Sequence, residues 1–256
     1  MKTLSKTELA RMNGTTVFTN KVYTADRATM GKTETLIKRS TNVKLGKKVT
    51  KGKFKGFPIF TLTLEERATC PRSCAHWADC YGNNMMYAYR YQAGTALENM
   101  LELELTELQR KYPAGFLVRL HILGDFYSVG YVAKWAKWLG QFPALHVYGY
   151  TANQPDAADP KERAIGLALL SLSDMGSTRW AVRFSGNFTR PTMTANSYDD
   201  PQAVAAVAAK QAFVCPTQIS KVTGKLAKKE EETLVPDCGA CGLCWSASKP
   251  VVFLTH

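Results

Sequence analysis

The sequence lacks any apolar run approaching the roughly 20 residues that a membrane-spanning helix requires, so no transmembrane segment is expected. Its opening, "MKTLSKTELARMNG", has no apolar core segment and no cleavage-type ending, which argues against a secretory leader and for a cytoplasmic protein. There is no internal repeat and no low-complexity tract. Acidic residues are also scarce: 21 Asp and Glu stand against 33 Lys and Arg, giving a net charge of +12. The scarcity is sharpest between Lys44 and Gly56, where Lys44, Lys47, Lys48, Lys51, Lys53 and Lys55 occur with no acid among them. Such a run can track a phosphate backbone, and it can equally be a solvated basic loop.

What is present is a chain of 256 residues, long enough to bury one large core with small appendages. It has seven cysteines, an odd number, and in a chain read as cytoplasmic that disfavours a disulfide framework. They fall in two groups. Cys70, Cys74 and Cys80 lie in "TCPRSCAHWADCY"; Cys215 lies in "FVCPTQ", and Cys238, Cys241 and Cys244 in "DCGACGLCW".

Residues 1–56 are polar, basic and weakly patterned, and predict short strands or an extended arm around "TTVFTNKVYT". Strand and helix signals then alternate. Strands are expected at 57–64, 116–123, 144–151 and 179–186. Helices are expected from about 84 to 111, across "SVGYVAKWAKWLGQF", across "DPKERAIGLALLSLSD" with Asp159 as N-cap, and over 199–211. This alternation implies a parallel sheet, either open and doubly wound or a closed or partial barrel. The expected organisation is an arm (1–56), an α/β domain (57–212) and a four-cysteine segment packed on it (213–256).

Each expected strand carries a polar set at period two, including Arg119, His121, His146, Tyr148, Tyr150, Arg183 and Ser185. Strands buried on both faces are nearly all apolar, so these positions predict either a polar ligand on one face or a solvated face. Arg119 and His121 are the candidate substrate contacts; a lone histidine such as His121 is often simply a core residue.

Four thiols in the pattern of Cys215, Cys238, Cys241 and Cys244 suit a closed zinc site or a [4Fe–4S] cluster, and the tight C-x2-C-x2-C run resembles ferredoxin spacing. The C-x3-C-x5-C loop is one ligand short. His76 would complete a zinc site, whereas a [4Fe–4S] cluster on three cysteines leaves one iron open. The loop directly follows an expected strand, where α/β sites are built, and "LGDF" (123–126) ends the next strand.

At these residues the chain resembles the radical S-adenosylmethionine enzymes. The resemblance implies a partial or complete (β/α) barrel of that type, with Cys70, Cys74 and Cys80 holding a [4Fe–4S] cluster whose open iron binds S-adenosylmethionine. It places Gly124 and Asp125 at the turn that holds the cofactor's amino group, and Arg183 and Ser185 at the strand-four contacts. It makes the second cysteine group an auxiliary cluster and calls for an electron donor. The last gap of five residues is longer than the usual two, and Asp125 stands where Glu is usual. More narrowly, "TCPRSCAHWADCY", "RLHILGDFYSVGYVAKW", "YGYT" and "CPTQ…CGACGLCW" are similar to the phage gene product 88 family, over roughly residues 40 to 250.

Three functions follow as expectations. The first is an enzyme that cleaves S-adenosylmethionine and modifies a phosphate-bearing substrate, nucleic acid or nucleotide, drawn by Lys44–Lys55. The second is a non-enzymatic nucleic-acid-binding protein with two structural zinc or iron–sulfur sites. The third is a two-cluster electron-transfer or sensor protein.

Overall fold

The structure, a computed structural model, describes residues 4–26, 34–186, 193–198, 200–218, 236–246 and 248–253. The first helix, α1 (Lys6–Asn13), lies in the arm where strands or extended chain were expected. Its signal was local: Ser5 and Glu8 form a capping box that satisfies two main-chain donors, and Gly14 closes the other end in the left-handed region.

The strands that follow are β1 (Val22–Tyr23), β2 (Lys38–Arg39), β3 (Ile59–Thr61), β4 (Arg90–Tyr91), β5 (Phe116–Leu120), β6 (Leu145–Thr151), β7 (Trp180–Ser185), β8 (Thr194–Ser197), β9 (Phe213–Val214) and β10 (Val251–Phe253). β1 and β4 form a small parallel pair. The other eight form one sheet in the order β2-β3-β5-β6-β7-β8-β10-β9, parallel except where β2 meets β3. From β3 to β8 the spatial order follows the chain order. Right-handed crossovers then place every connecting helix on the same face, unlike a doubly wound sheet.

Those helices are α2 (Thr95–Lys111), α3 (Val129–Gln141) and α4 (Pro160–Asp174). Asp159 caps α4 at the Glu162 N–H, with Pro160 in its first turn, as the sequence predicts. α2 starts eleven residues after the expected position near 84, because Gly94 at φ 135° breaks the backbone and the preceding tract is a turn and a strand. A fifth helix, α5 (Pro201–Ala208), follows β8.

The sheet divides two populations of side chains. Phe60, Val118, Leu120, Val147, Val182 and Phe184 join Leu101, Leu105, Trp135, Trp138 and Leu169 from the helices in the main core. The opposite face is covered by the chain ends. Val49 and Phe54 of the lysine-rich loop pack on Ile59, Leu117 and Tyr148, with Trp245 beside them. Cys215 packs with Ala195, Val251 and Tyr150.

No closed barrel forms among the described residues: the sheet is open, with β2 and β9 at its edges. The expectation of a complete barrel is corrected on that point. Several strands are only two to four residues long, too short for the tilt and stagger that closure demands. The arm and the tail fill the face that a barrel would turn to its lumen. Among the described residues no helix is long and apolar enough to cross a membrane.

Candidate metal centres and the face between them

The first cysteine group sits on the loop that leaves β3, at the carboxyl end of the sheet. Two arginines shape this loop. Arg67, itself at φ 64°, donates to the carbonyls of Trp77 and Thr15 and to Asn83 Oδ1. Arg90 is fully buried, donates to Glu66 Oε2 at 2.7 Å, and also reaches the carbonyls of Gly82, Met85 and Ala88. Thr16 completes Glu66 by donating to its second oxygen at 2.6 Å. Ser73 ties the loop to Glu162 of α4. The stretch from 66 to 91 is therefore fastened on both sides of its three cysteines.

The thiols of Cys70, Cys74 and Cys80 are pushed above their ordinary range, Cys74 to about 11. Burial is the largest cause for each, and Asp125 and the neighbouring thiols add to it at Cys70 and Cys74. The main-chain N–H groups of Arg67, His76 and Gly82 act in the opposite sense on Cys70, Cys74 and Cys80 respectively. Arg67 and Arg90 lower Cys80 in part; buried thiols flanked by N–H donors are still a donor set that a metal cation would relieve. His76 does not join them: its imidazole is exposed and faces Asp79 at 3.6 Å.

The second group is assembled by the tail. Cys238 and Cys241 lie on a single helical turn, α6 (Cys238–Cys241), capped by Asp237 at the Ala240 N–H; Cys244 lies on the next, α7 (Leu243–Ser246). Cys215 arrives on the strand side, after β9. All four line one narrow cavity, together with Phe213, Pro216, Thr217 and Trp245. Burial raises Cys238 to about 12 and also raises Cys241 and Cys244, while Arg119 lowers Cys238 and Cys244 in part. Among the described residues no three His, Cys, Asp or Glu side chains are drawn together as a metal shell. The donor chemistry nevertheless suits iron–sulfur or zinc at both places: four thiols in one, three thiols and no pointing imidazole in the other.

The remaining candidates are engaged with the chain itself. Gly124 adopts φ 81°, and a Cβ there would stand 2.5 Å from Thr69 Oγ1 and 2.6 Å from Leu64 Cβ, so glycine is needed for packing. Asp125 is buried. Its carboxylate accepts from Phe126 N (2.7 Å), Thr151 Oγ1 (2.8 Å) and Ala152 N (2.6 Å). Burial raises its pKa to about 6, those donors opposing the rise. Arg183 donates to the carbonyls of Cys244 and Lys249, both at 3.0 Å, clamping the tail to β7. Ser185 is exposed, and its carbonyl accepts from Gln154.

His121 and Arg119 part company. A φ of 40° takes His121 out of the strand alternation. It enters the helix-side core, 3.2 Å from the Tyr131 hydroxyl and against Phe126, where burial and then the Arg119 charge lower its pKa to about 3. Arg119 stays on the face covered by the chain ends, half-buried, its guanidinium 4.4 Å from the Tyr150 ring centroid and 5.7 Å from that of Tyr148. Tyr150 in turn donates to Cys244 Sγ at 2.8 Å.

The lysine-rich loop is a neighbour of the second cysteine group. Cys238 N donates to Lys44 O, Gly239 N to Leu45 O and Thr50 N to Gly239 O. Gly239 is packed so closely that a Cβ would lie 2.2 Å from Lys48 O. All six lysines point outward while Val49 and Phe54 anchor the loop. Sequence reasoning missed the Glu66–Arg90 pair and the Arg67 clamp, since nothing local marks an acid and a base 24 residues apart as partners.

A family model described as gene product 88 matches residues 35–247, a span that includes both cysteine groups. No curated protein and no solved structure matches the chain.

Proposed function

The chain belongs to the gene product 88 family, and from that premise we propose that it is an iron–sulfur enzyme of the radical S-adenosylmethionine type, acting on a phosphate-bearing substrate, nucleic acid or nucleotide. The observation that supports this most is the incomplete thiol set of Cys70, Cys74 and Cys80 beside a histidine that faces away from it. A [4Fe–4S] cluster bound there would keep one iron free for the cofactor's amino and carboxylate groups and would supply an electron, drawn from an external donor, for its reductive cleavage.

The chain's own residues have the following parts in this reading. Arg67 and Arg90 hold the loop in one geometry, which is what precise chemistry needs from a supporting shell. Asp125 and Arg183 act as positioning residues: Asp125 fixes the chain after β6, and Arg183 fixes the tail that bears the second centre. Lys44–Lys55 raises the local concentration of a polyanionic substrate. The second centre, on Cys215, Cys238, Cys241 and Cys244, is an auxiliary cluster beneath that loop. The test is anaerobic reconstitution with iron and sulfide, followed by S-adenosylmethionine binding and dithionite-driven release of methionine. Two clusters with turnover support the reading; clusters with no cofactor binding would sink it.

A second reading is a nucleic-acid-binding protein with two structural zinc or iron–sulfur sites and no catalysis. Its support is that Asp125 and Arg183 are already engaged by the chain, and that the lysine loop is bonded directly to the Cys238 turn. Two zinc ions, no iron, and nucleic-acid binding that falls steeply with salt and ignores S-adenosylmethionine would favour it.

A further inference from the structure

Arg119 differs from the other arginines held in the fold. Arg67 has three acceptors, Arg90 four and Arg179 three, while Arg183 has at least two. Arg119 has one, the carbonyl of the adjacent Leu120, and no carboxylate partner among the described residues. A guanidinium offers five N–H donors, so most of those on the partly exposed Arg119 remain free to meet a ligand.

A second orphan stands beside it. Tyr148 is the register partner of Arg119 across β5 and β6 and faces the same side of the sheet. It is 1% exposed, with Trp245 against its ring, and its hydroxyl has no hydrogen-bond partner among the described residues. One unmet hydroxyl is ordinary; an unmet hydroxyl beside a guanidinium with donors to spare can share one ligand. Arg119 lies against the Tyr150 ring, whose hydroxyl donates to Cys244 Sγ, and its other register partner, Thr61, is on β3, the strand that leads into the loop of Cys70, Cys74 and Cys80. The pair therefore stands between the two thiol groups.

We propose that Arg119 and the Tyr148 hydroxyl form an oxyanion site on the covered face of the sheet, between the two cysteine groups, and that it takes a phosphate or carboxylate of the substrate. The planar fork of Arg119 suits either group in a bidentate grip, and the tyrosine rings on which it lies fix its plane. This deepens the functional reading by giving the substrate an anchor; it rests on that reading only for which face meets substrate, and it needs no cofactor.

The test uses the full chain as purified, with inorganic phosphate and acetate as separate calorimetric probes. Wild type is expected to bind at least one of them. Arg119→Met should weaken that binding at least about tenfold, the usual scale for a charge-assisted hydrogen bond. Arg119→Lys should retain part of it, and Tyr148→Phe should weaken it several-fold while leaving the thermal midpoint unchanged or raised. Phosphate alone binding points to a phosphate source, and acetate competing equally points to a carboxylate. A Lys51→Gln, Lys53→Gln, Lys55→Gln variant separates this site from the basic loop. Loss of binding in that variant with none in Arg119→Met or Tyr148→Phe overturns the proposal. So does an Arg119→Met protein that changes only in iron content, because the thiol centre would then be the guanidinium's partner. Failure of S-adenosylmethionine cleavage with this site intact would remove the enzymatic reading alone.

Discussion

Replacing Arg90 by methionine should destabilise the protein severely and loosen the three-cysteine loop. Arg90 and Glu66 have side chains 0% and 1% exposed and meet at 2.7 Å. The methionine would leave Glu66 charged in the interior with, among the described residues, only the Thr16 hydroxyl as partner. It would also strand the carbonyl of Ala88 and take one of two donors from those of Gly82 and Met85, which bracket the turn just after Cys80. Removing one partner of a buried pair typically costs about 3–5 kcal/mol. That is a large share of a total stability on the order of 5–15 kcal/mol. Urea unfolding followed by fluorescence would show it as a midpoint lower by about 1–3 M, for a denaturant slope of roughly 2–3 kcal/mol per molar. A double variant, Arg90→Met with Glu66→Leu, should recover part of the loss by removing the stranded charge. It should not recover the order of the three-cysteine loop, or any iron uptake there, because the turn after Cys80 still lacks its guanidinium clamp. A loss below about 1 kcal/mol in the single variant, as for an exposed pair, would refute the reasoning.

His121 should give the protein an acid-sensitive component. Its folded-state pKa, about 3, lies below the ordinary 6.5, so neutral imidazole contributes stability that is complete above 6.5 and is lost as pH falls toward 3. Between pH 7 and pH 5 this amounts to about 2 kcal/mol, measurable by urea unfolding, and His121→Leu should remove that slope. His76→Ala should leave iron content unchanged, whereas Cys74→Ala should lower it; equal losses would make the imidazole a ligand after all. Loading the second centre should protect the lysine loop from trypsin, since the loop is bonded to Cys238 and Gly239, and Cys238→Ser should abolish that protection. Each lysine of that loop that contacts phosphate and is changed to glutamine should lower the salt slope of nucleic-acid binding by about 0.7–0.9.

What could be read from the sequence was mostly what repeats locally. The period-two polar set placed Arg119, Tyr148, Tyr150 and Arg183 on one face, and the register bears this out. Asp159 and Pro160 announced α4. His121 escaped because a single positive φ moves a side chain to the other side of the sheet, and alternation carries no sign of that. The α1 helix was legible in the Ser5–Glu8 spacing but hidden by the basic composition around it. The destination of Arg183 was not legible at all. It depends on a tail more than sixty residues later in the chain folding back to present two carbonyls. The thiol groupings were plain in the sequence, but the clamps on them join residues far apart in the chain.

The position of β10 sets a schedule for the second cysteine group. Cys215 follows β9, and among the described residues β9 pairs only with β10, with Cys215 N donating to Val252 O. β10 itself enters between β8 and β9, although it is made last of the three. During synthesis at about 5–20 residues per second, Val252 follows Cys215 by roughly two to seven seconds. In that interval the strand bearing Cys215 has no neighbour to hold it. The thiols of Cys238, Cys241 and Cys244 are made before the strand that brings the fourth thiol to them. A nascent or truncated chain would offer an incomplete set of thiols, so any ligand that needs all four would distinguish finished molecules from unfinished ones.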